Sequence, residues 1–191
     1  MYPIVKRVLD IVGALLLCLV LSPFALLAAL LIKLDSPGPV FYRQIRLGMH
    51  QRQFNILKFR SMTLDENRDS SQTFGDSPGV TRIGKLIRRC KVDELPQIIN
   101  ILLGDMSFVG PRPSLPELPA QIAPQYHRRY SVRPGLTGLA QTNGNVYIDW
   151  EERCKHDLAY IDSISLLTDI KIVFKTVLVV LVGEDRFIRT R

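Results

Sequence analysis

The sequence is poor in the residues that staple or metallate small domains. Its 191 residues include only three cysteines, Cys18, Cys90 and Cys154, far apart and in no CxxC pair. The three histidines, His50, His127 and His156, are equally scattered. A disulfide framework and a zinc site are therefore excluded as organising features, and a reducing compartment fits best. No internal repeat is visible, and 12 glycines with 12 prolines are ordinary usage, which rules out collagen-like and low-complexity chains. Acidic residues are outnumbered, 18 against 25 lysines and arginines, leaving a net charge of +7. That balance favours acidic partners: nucleic acid, anionic lipid or a phosphorylated substrate. With 47% hydrophobic residues the chain has material for a core and is not disordered as a whole.

Mean hydropathy is +0.11 although 23% of residues are charged, so the apolar residues must be concentrated. Ile11 to Ile32 is a run of 22 residues without a charge. As a helix it would be roughly 33 Å long, enough to cross a bilayer core. Two features argue against a straight span. Ser22-Pro23 lies mid-run, where proline removes a helix hydrogen bond and clashes with the preceding turn. Both flanks are basic, Lys6 and Arg7 before, then Lys33, Arg43 and Arg46 after, whereas a spanning helix carries its Lys and Arg excess on one side. A re-entrant helix broken at Ser22-Pro23, entering and leaving by one face, accounts for both. The Ser22 hydroxyl is placed to bond a carbonyl freed by the break.

A second apolar stretch, Ser165 to Gly183, places Leu166, Ile170, Val173, Val177 and Leu181 three or four apart, interrupted by Asp169, Lys171 and Lys175. The spacing predicts an amphipathic helix. It suits a core-facing helix as well as an interfacial one; beside a membrane element, the interfacial placement gains weight. On this pattern Thr176 falls away from the apolar face.

Between these segments the chain is more polar. Residues 35–39 form a turn cluster, and residues 40–44 and 54–59 read as strands of a hairpin around a Gly48 loop. Residues 65–79 read as a solvated polar loop whose acids do not match a calcium-loop pattern. Arg82 to Lys91 has helical apolar spacing with a charge-rich face. Asp93-Glu94 precede the apolar run Ile98 to Leu103, which Gly104 stops, so Asp93 is placed as a helix N-cap. The plain reading of such a pair is a cap with an acidic first turn. The chemical reading is a carboxylate held ionised beside arginines, able to attack phosphorus or to hold Mg²⁺ against a diphosphate. Gly110-Pro111-Arg112-Pro113 mounts one guanidinium between two prolines, a rigid bidentate donor for phosphate.

Five stretches together closely resemble the bacterial sugar transferases, specifically the small monotopic phosphoglycosyl transferases of the PglC type. They are Phe41-Tyr42-Arg43-Gln44, Lys58-Phe59-Arg60-Ser61-Met62, Asp93-Glu94-Leu95-Pro96-Gln97, the run from Gly104 to Pro113, and Arg133-Pro134-Gly135-Leu136-Thr137-Gly138. Lys6-Arg7-Val8-Leu9-Asp10 and the Ser22-Pro23 break extend the likeness over nearly the whole chain. The resemblance implies a mostly helical α+β fold: a re-entrant helix in residues 1–35, then a catalytic domain in 36–191 with a small β-hairpin and amphipathic interfacial helices. It implies transfer of a sugar-1-phosphate from a UDP-sugar to undecaprenyl phosphate with release of UMP. Asp93 would be nucleophile and Mg²⁺ ligand, and Glu94 would assist by accepting a proton or orienting the acceptor. Arg88 and Arg112 would clamp phosphate, and Lys58 and Arg60 are weaker candidates for the donor. It further implies the cytoplasmic face of a bacterial inner membrane, contact with its lipid, and downstream glycosyltransferases as partners. One departure stands out: relatives often carry Asn-Gly-Arg-Asn where this chain has Asn143-Gly144-Asn145 without the arginine.

The rival of a different class is a membrane-anchored basic protein holding anionic lipid or nucleic acid. Nucleic acid would call for aromatics interleaved with cations. Tyr126-His127-Arg128-Arg129-Tyr130 is the one such cluster, and it reads equally well as a solvated helix face, so no nucleic-acid partner is expected. Phosphate-ester hydrolysis at the same acidic pair is a third reading.

Overall fold

The computed structural model describes residues 2–63 and 78–182. Most of the polar loop expected at 65–79 therefore lies outside the described residues. The fold is α+β and mostly helical, with one long apolar N-terminal helix, α1, over Tyr2–Asp35. Pro23 sits inside α1, which continues on both sides of it as one element rather than as two helices parted by a break. The local chemistry explains the continuity. Pro23 has no N–H for the carbonyl of Leu19, and the Ser22 hydroxyl donates to that carbonyl at 2.9 Å instead. If straight, 34 residues would extend about 51 Å, well beyond a hydrocarbon core of about 30 Å.

One stripe of α1 meets the rest of the chain. Asp10, Ala14, Ala28 and Ile32 are buried, and Cys18, Leu21 and Ala25 pack beside them. Their three-or-four spacing keeps them on one face, and the small residues allow close approach. The other faces carry apolar residues outward: Leu19 is 73% and Leu26 72% exposed. Such continuous apolar surface marks a lipid or partner contact.

The hairpin forms as the alternation predicts. Strands β1 (Phe41–Leu47) and β2 (Gln53–Phe59) pair antiparallel, from Phe41 opposite Phe59 to Leu47 opposite Gln53. Helix α2 (Arg82–Arg89) starts at Thr81, whose side chain accepts from the Gly84 N–H at 2.9 Å. Helix α3 (Gln97–Leu103) ends at Gly104, in the left-handed conformation at φ 94°. Buried Asn100 fastens α3 to β2: its Oδ1 accepts from the Leu57 N–H, and its Nδ2 donates to the Asn55 carbonyl. Strand β3 (Ser107–Val109) follows, then the short helix α4 (Leu118–Gln121) and a 3-10 segment, Pro124–Ser131. Strand β4 (Gly135–Thr137) pairs parallel with β3, and helices α5 (Trp150–Asp162) and α6 (Leu166–Val182) are the last elements among the described residues.

The charges flanking the apolar run serve tertiary structure. Asp169 on α6 accepts from Tyr2 at 2.5 Å, from Lys6 at 2.6 Å and from Tyr160 at 2.8 Å. Arg7 donates to the carbonyls of Ile101 and Leu102 at the C-terminal end of α3, where Arg133 also caps Gly104. Asp10 accepts from the Ser107 hydroxyl and the Phe108 N–H. Lys6 and Arg7 thus have fold partners, which weakens the flank-charge argument for re-entry.

The structure decides between two pairs of open readings. The cluster Tyr126 to Tyr130 is not a solvated face: Tyr126, Arg129 and Tyr130 are buried, which removes the sequence basis for nucleic-acid binding. On α6, Leu166, Ile170, Val173, Val177 and Leu181 are exposed, while Asp169, Ile172 and Val179 face inward. The core-facing placement of that apolar stripe fails, and its exposure fits the interfacial one. Thr176 turns inward too, its hydroxyl 2.6 Å from that of Thr137. Val173→Asp should therefore release protein from membranes with little change in unfolding temperature. Thr176→Asp should instead lower the unfolding temperature. Flotation assays beside thermal scans in detergent check this, and the opposite pattern would refute the orientation of α6.

Candidate active site

The acidic pair sits where the chain turns between α2 and α3. Lys91 adopts the left-handed conformation at φ 56°, and Val92–Glu94 form a single 3-10 turn. Leu95 and Pro96 then lead into α3, whose start shows no side-chain cap bond. Asp93 is not the N-cap that its position predicts. Its Oδ1 is buried without a hydrogen-bond partner, and among the described residues Asp93 has no ion pair within 4 Å. The plain reading of this carboxylate, a helix cap, is gone.

Glu94 behaves in the opposite way. Its Oε1 accepts from Lys58 Nζ and from Arg112 Nη2, each at 2.9 Å. Lys58 reaches it from β2, and Arg112 from the loop after β3. Burial opposes ionisation of Glu94, but Arg112 and Lys58 outweigh it and hold the carboxyl well below its usual range. Asp93 is pushed up, first by burial and then by the Glu94 charge, against the pull of Lys58, Lys91 and Arg88. Two adjacent carboxylates are thus driven apart, one fixed as a permanent anion and the other unengaged.

Arg112 is mounted on a backbone that cannot shift. Gly110, Gly135 and Gly138 bring β3 and β4 so close that a Cβ on Gly135 would lie 2.1 Å from the Gly110 nitrogen, and one on Gly138 2.1 Å from the Gly110 oxygen. The Gly110 N–H donates to Thr137 O at 2.9 Å, and the Gly135 N–H to Pro111 O at 2.8 Å. The Arg112 carbonyl accepts from Arg129 at 2.9 Å, and Arg129 is ion-paired to Asp157, both nearly inaccessible. The two glycine motifs and the buried Arg129–Asp157 pair act together to aim one guanidinium.

The structure therefore brings together Asp93, Glu94, Lys58 and Arg112. Arg88 lies within electrostatic reach of Asp93, its Nε donating to Ser61 at 2.7 Å. Arg60 is placed elsewhere: its buried guanidinium donates to the carbonyls of Ser36 and Pro37 and so ties β2 to the turn after α1. Ser22 and Pro23 lie within α1. In the loop lacking the arginine, Asn143 accepts from Lys175 at 2.6 Å. Arg46 and Arg153, which sequence reading passed over, both feel the charge of Arg112. For Arg46 the signal was available, since it shares a strand face with Tyr42, opposite Lys58. For Arg129 and Asp157, 28 residues apart, there was none.

Mg²⁺ binds oxygen through one or two carboxylates and keeps room for substrate phosphates. A buried carboxylate oxygen without a partner suits that role, and among the described residues no group of three or more metal-binding side chains offers an alternative.

The two carboxylates make opposite contributions to stability. A lowered folded-state pKa means Glu94 stabilises the fold above its ordinary value of 4.5, and the contribution is lost as pH falls through the lower folded value. Asp93, raised above 3.8, costs stability at neutral pH. Glu94→Gln should therefore destabilise by about 1–3 kcal/mol at pH 7, stranding Lys58 and Arg112. Asp93→Asn should unfold at the wild-type temperature or above it. Thermal unfolding at pH 7 checks both, and a destabilised Asp93→Asn would contradict the unengaged carboxylate.

A family model for bacterial sugar transferases matches residues 1–183. The chain is 43% identical over 187 residues to the exopolysaccharide production protein PSS of Rhizobium leguminosarum bv. phaseoli, covering 91% of this chain and 94% of that one. It is 44% identical over 191 residues to the UDP-glucose:undecaprenyl-phosphate glucose-1-phosphate transferase of Caulobacter vibrioides, covering 95% of this chain and 72% of that protein. The UDP-N-acetylgalactosamine-undecaprenyl-phosphate N-acetylgalactosaminephosphotransferase of Aeromonas hydrophila is 42% identical over 189 residues, covering 95% of this chain and 45% of that one.

Proposed function

Because this chain belongs to the bacterial sugar transferase family, we propose that it moves a sugar-1-phosphate from a UDP-sugar to undecaprenyl phosphate and releases UMP. The observation that carries the mechanism is the half-buried Asp93, with its buried, partnerless Oδ1, beside a cation-locked Glu94. An Asp93 oxygen attacks the β-phosphorus, the bond to the bridging oxygen breaks, and UMP leaves with that electron pair. The acceptor's phosphate oxygen then attacks the same phosphorus, expels the Asp93 carboxylate and forms the lipid-linked diphosphate sugar.

Glu94 is poorly suited to take a proton at neutral pH, because Lys58 and Arg112 hold it ionised. It acts by orienting those two cations towards phosphate. A phosphate monoester is largely ionised near neutral pH, so the acceptor needs no strong base. Arg112 and Arg88 stabilise charge on the transferred group. Asp93 would hold Mg²⁺ together with the donor diphosphate, and the bound ion would neutralise charge developing on the leaving UMP. The product, a sugar diphosphate on a lipid, is a substrate for downstream glycosyltransferases.

Donor labelled in its sugar and β-phosphate, supplied without acceptor, should leave label on wild-type protein and none on Asp93→Asn. Asp93→Asn should also lose several orders of magnitude in UMP release, since the amide removes the nucleophilic oxygen. A turnover-competent Asp93→Asn would remove Asp93 from this role.

The same reading places the chain on the cytoplasmic face of a bacterial inner membrane, where nucleotide sugars are available, with α1 re-entrant in the lipid and α6 in the interface. The length of α1, the proline at its middle and the outward apolar faces of both helices support it. Cysteines placed at Pro3 and at Arg52 should both resist impermeant reagents in intact cells and react after lysis. Labelling of Pro3→Cys from outside would establish a span.

A further inference from the structure

We propose that Arg46 and Arg153, grouped around Arg112, form a second phosphate subsite beside the acidic pair, suited to a phosphate monoester; this rests on the function proposed above. Arg46 extends from β1. Its Nε and Nη2 donate to Gln44 Oε1 at 3.1 and 2.6 Å, and its Nη1 reaches the Pro113 carbonyl, next to Arg112, at 3.4 Å. Arg153 extends from α5. Its Nε donates to Ile148 O at 3.0 Å, and its guanidinium stacks on Trp150 at 4.6 Å. The two Nη groups of Arg153 make no hydrogen bond among the described residues.

The local charge does not balance. Among the described residues neither Arg46 nor Arg153 has a carboxylate within 4 Å, although both are half-buried. Among the described residues Arg112 pairs with Glu94, whose Oε1 is shared with Lys58. Glu117 near Arg46 is exposed, Asp149 near Arg153 caps α5, and Asp157 is committed to Arg129. Burial and then the Arg112 charge weaken proton binding on Arg46, to about 10, and on Arg153. Holding like charges half-buried costs free energy unless an anion completes the cluster. A phosphate monoester offers two charges and three terminal oxygens, which guanidinium forks match. One product and one reactant carry that group: the departing UMP and the polyprenyl phosphate that follows it.

The test uses the full chain in detergent micelles. Binding of UMP, of undecaprenyl phosphate and of inorganic phosphate as competitor is measured for wild type, Arg46→Gln and Arg153→Gln. Arg46→Lys and Arg153→Lys keep the charge in case the glutamines impair folding, and Arg52→Gln, exposed on the hairpin turn, is the control. Each glutamine variant should weaken a monoester about 10- to 100-fold, whereas Arg52→Gln should change nothing. Labelling of Asp93 by donor in a single turnover should persist in both, which a collapsed active site would not allow. Weakening of UMP alone assigns the subsite to the leaving group, and weakening of undecaprenyl phosphate alone to the acceptor. Wild-type affinity for both ligands in both glutamine variants, or loss of labelling along with binding in the glutamine and lysine variants alike, overturns the subsite and leaves the functional reading standing. Wild-type protein that binds neither ligand removes both.

Discussion

The architecture depends on a contact that tolerates no side chain, the meeting of β3 and β4 at Gly110, Gly135 and Gly138. A Cβ at Gly135 or Gly138 would overlap backbone atoms, so the two segments touch main chain to main chain. That contact fixes the carbonyl of Pro111, and the buried Arg129–Asp157 pair fixes the carbonyl of Arg112. A guanidinium held at both neighbouring peptide units loses little freedom when phosphate arrives. The rigidity lies in the backbone, and only the tip of Arg112 is left to do chemistry.

The acidic pair shows how one turn gives neighbouring residues unlike roles. Glu94 gains two cations and remains an anion. Among the described residues Asp93 gains neither cap nor ion pair, so its buried oxygen keeps its capacity to bond. Within the 3-10 turn Val92–Glu94 the Glu94 side chain meets Lys58 and Arg112, and neither carboxylate caps α3, whose start carries no side-chain bond.

Local patterns were legible in the sequence, and long-range ones were not. The hairpin, the apolar helix and its Ser22–Leu19 repair follow from alternation, hydropathy and proline chemistry. The acidic pair and Arg112 were legible as motifs. Asp93 was misplaced as a cap because a 3-10 turn and a helix start look alike in sequence. Arg129 looked solvated because its partner Asp157 lies on another helix, and Arg60 looked available because the carbonyls that hold it belong to a turn 23 and 24 residues away. On α6 the apolar stripe and its favoured outward placement were legible, but the inward contact of Thr176 was not, since its partner Thr137 is outside the helix.

The clasp on Asp169 bears on how the chain is made. Tyr2 and Asp169 are 167 residues apart, so α1 leaves the ribosome long before the α6 residue that fastens it. At 5–20 residues per second that interval is about 10–30 s. Throughout it the outward apolar surface of α1 is already made, while Tyr2 and Lys6 await their acceptor. Docking of α1 through this clasp is thus a late step, completed only once α6 has been made.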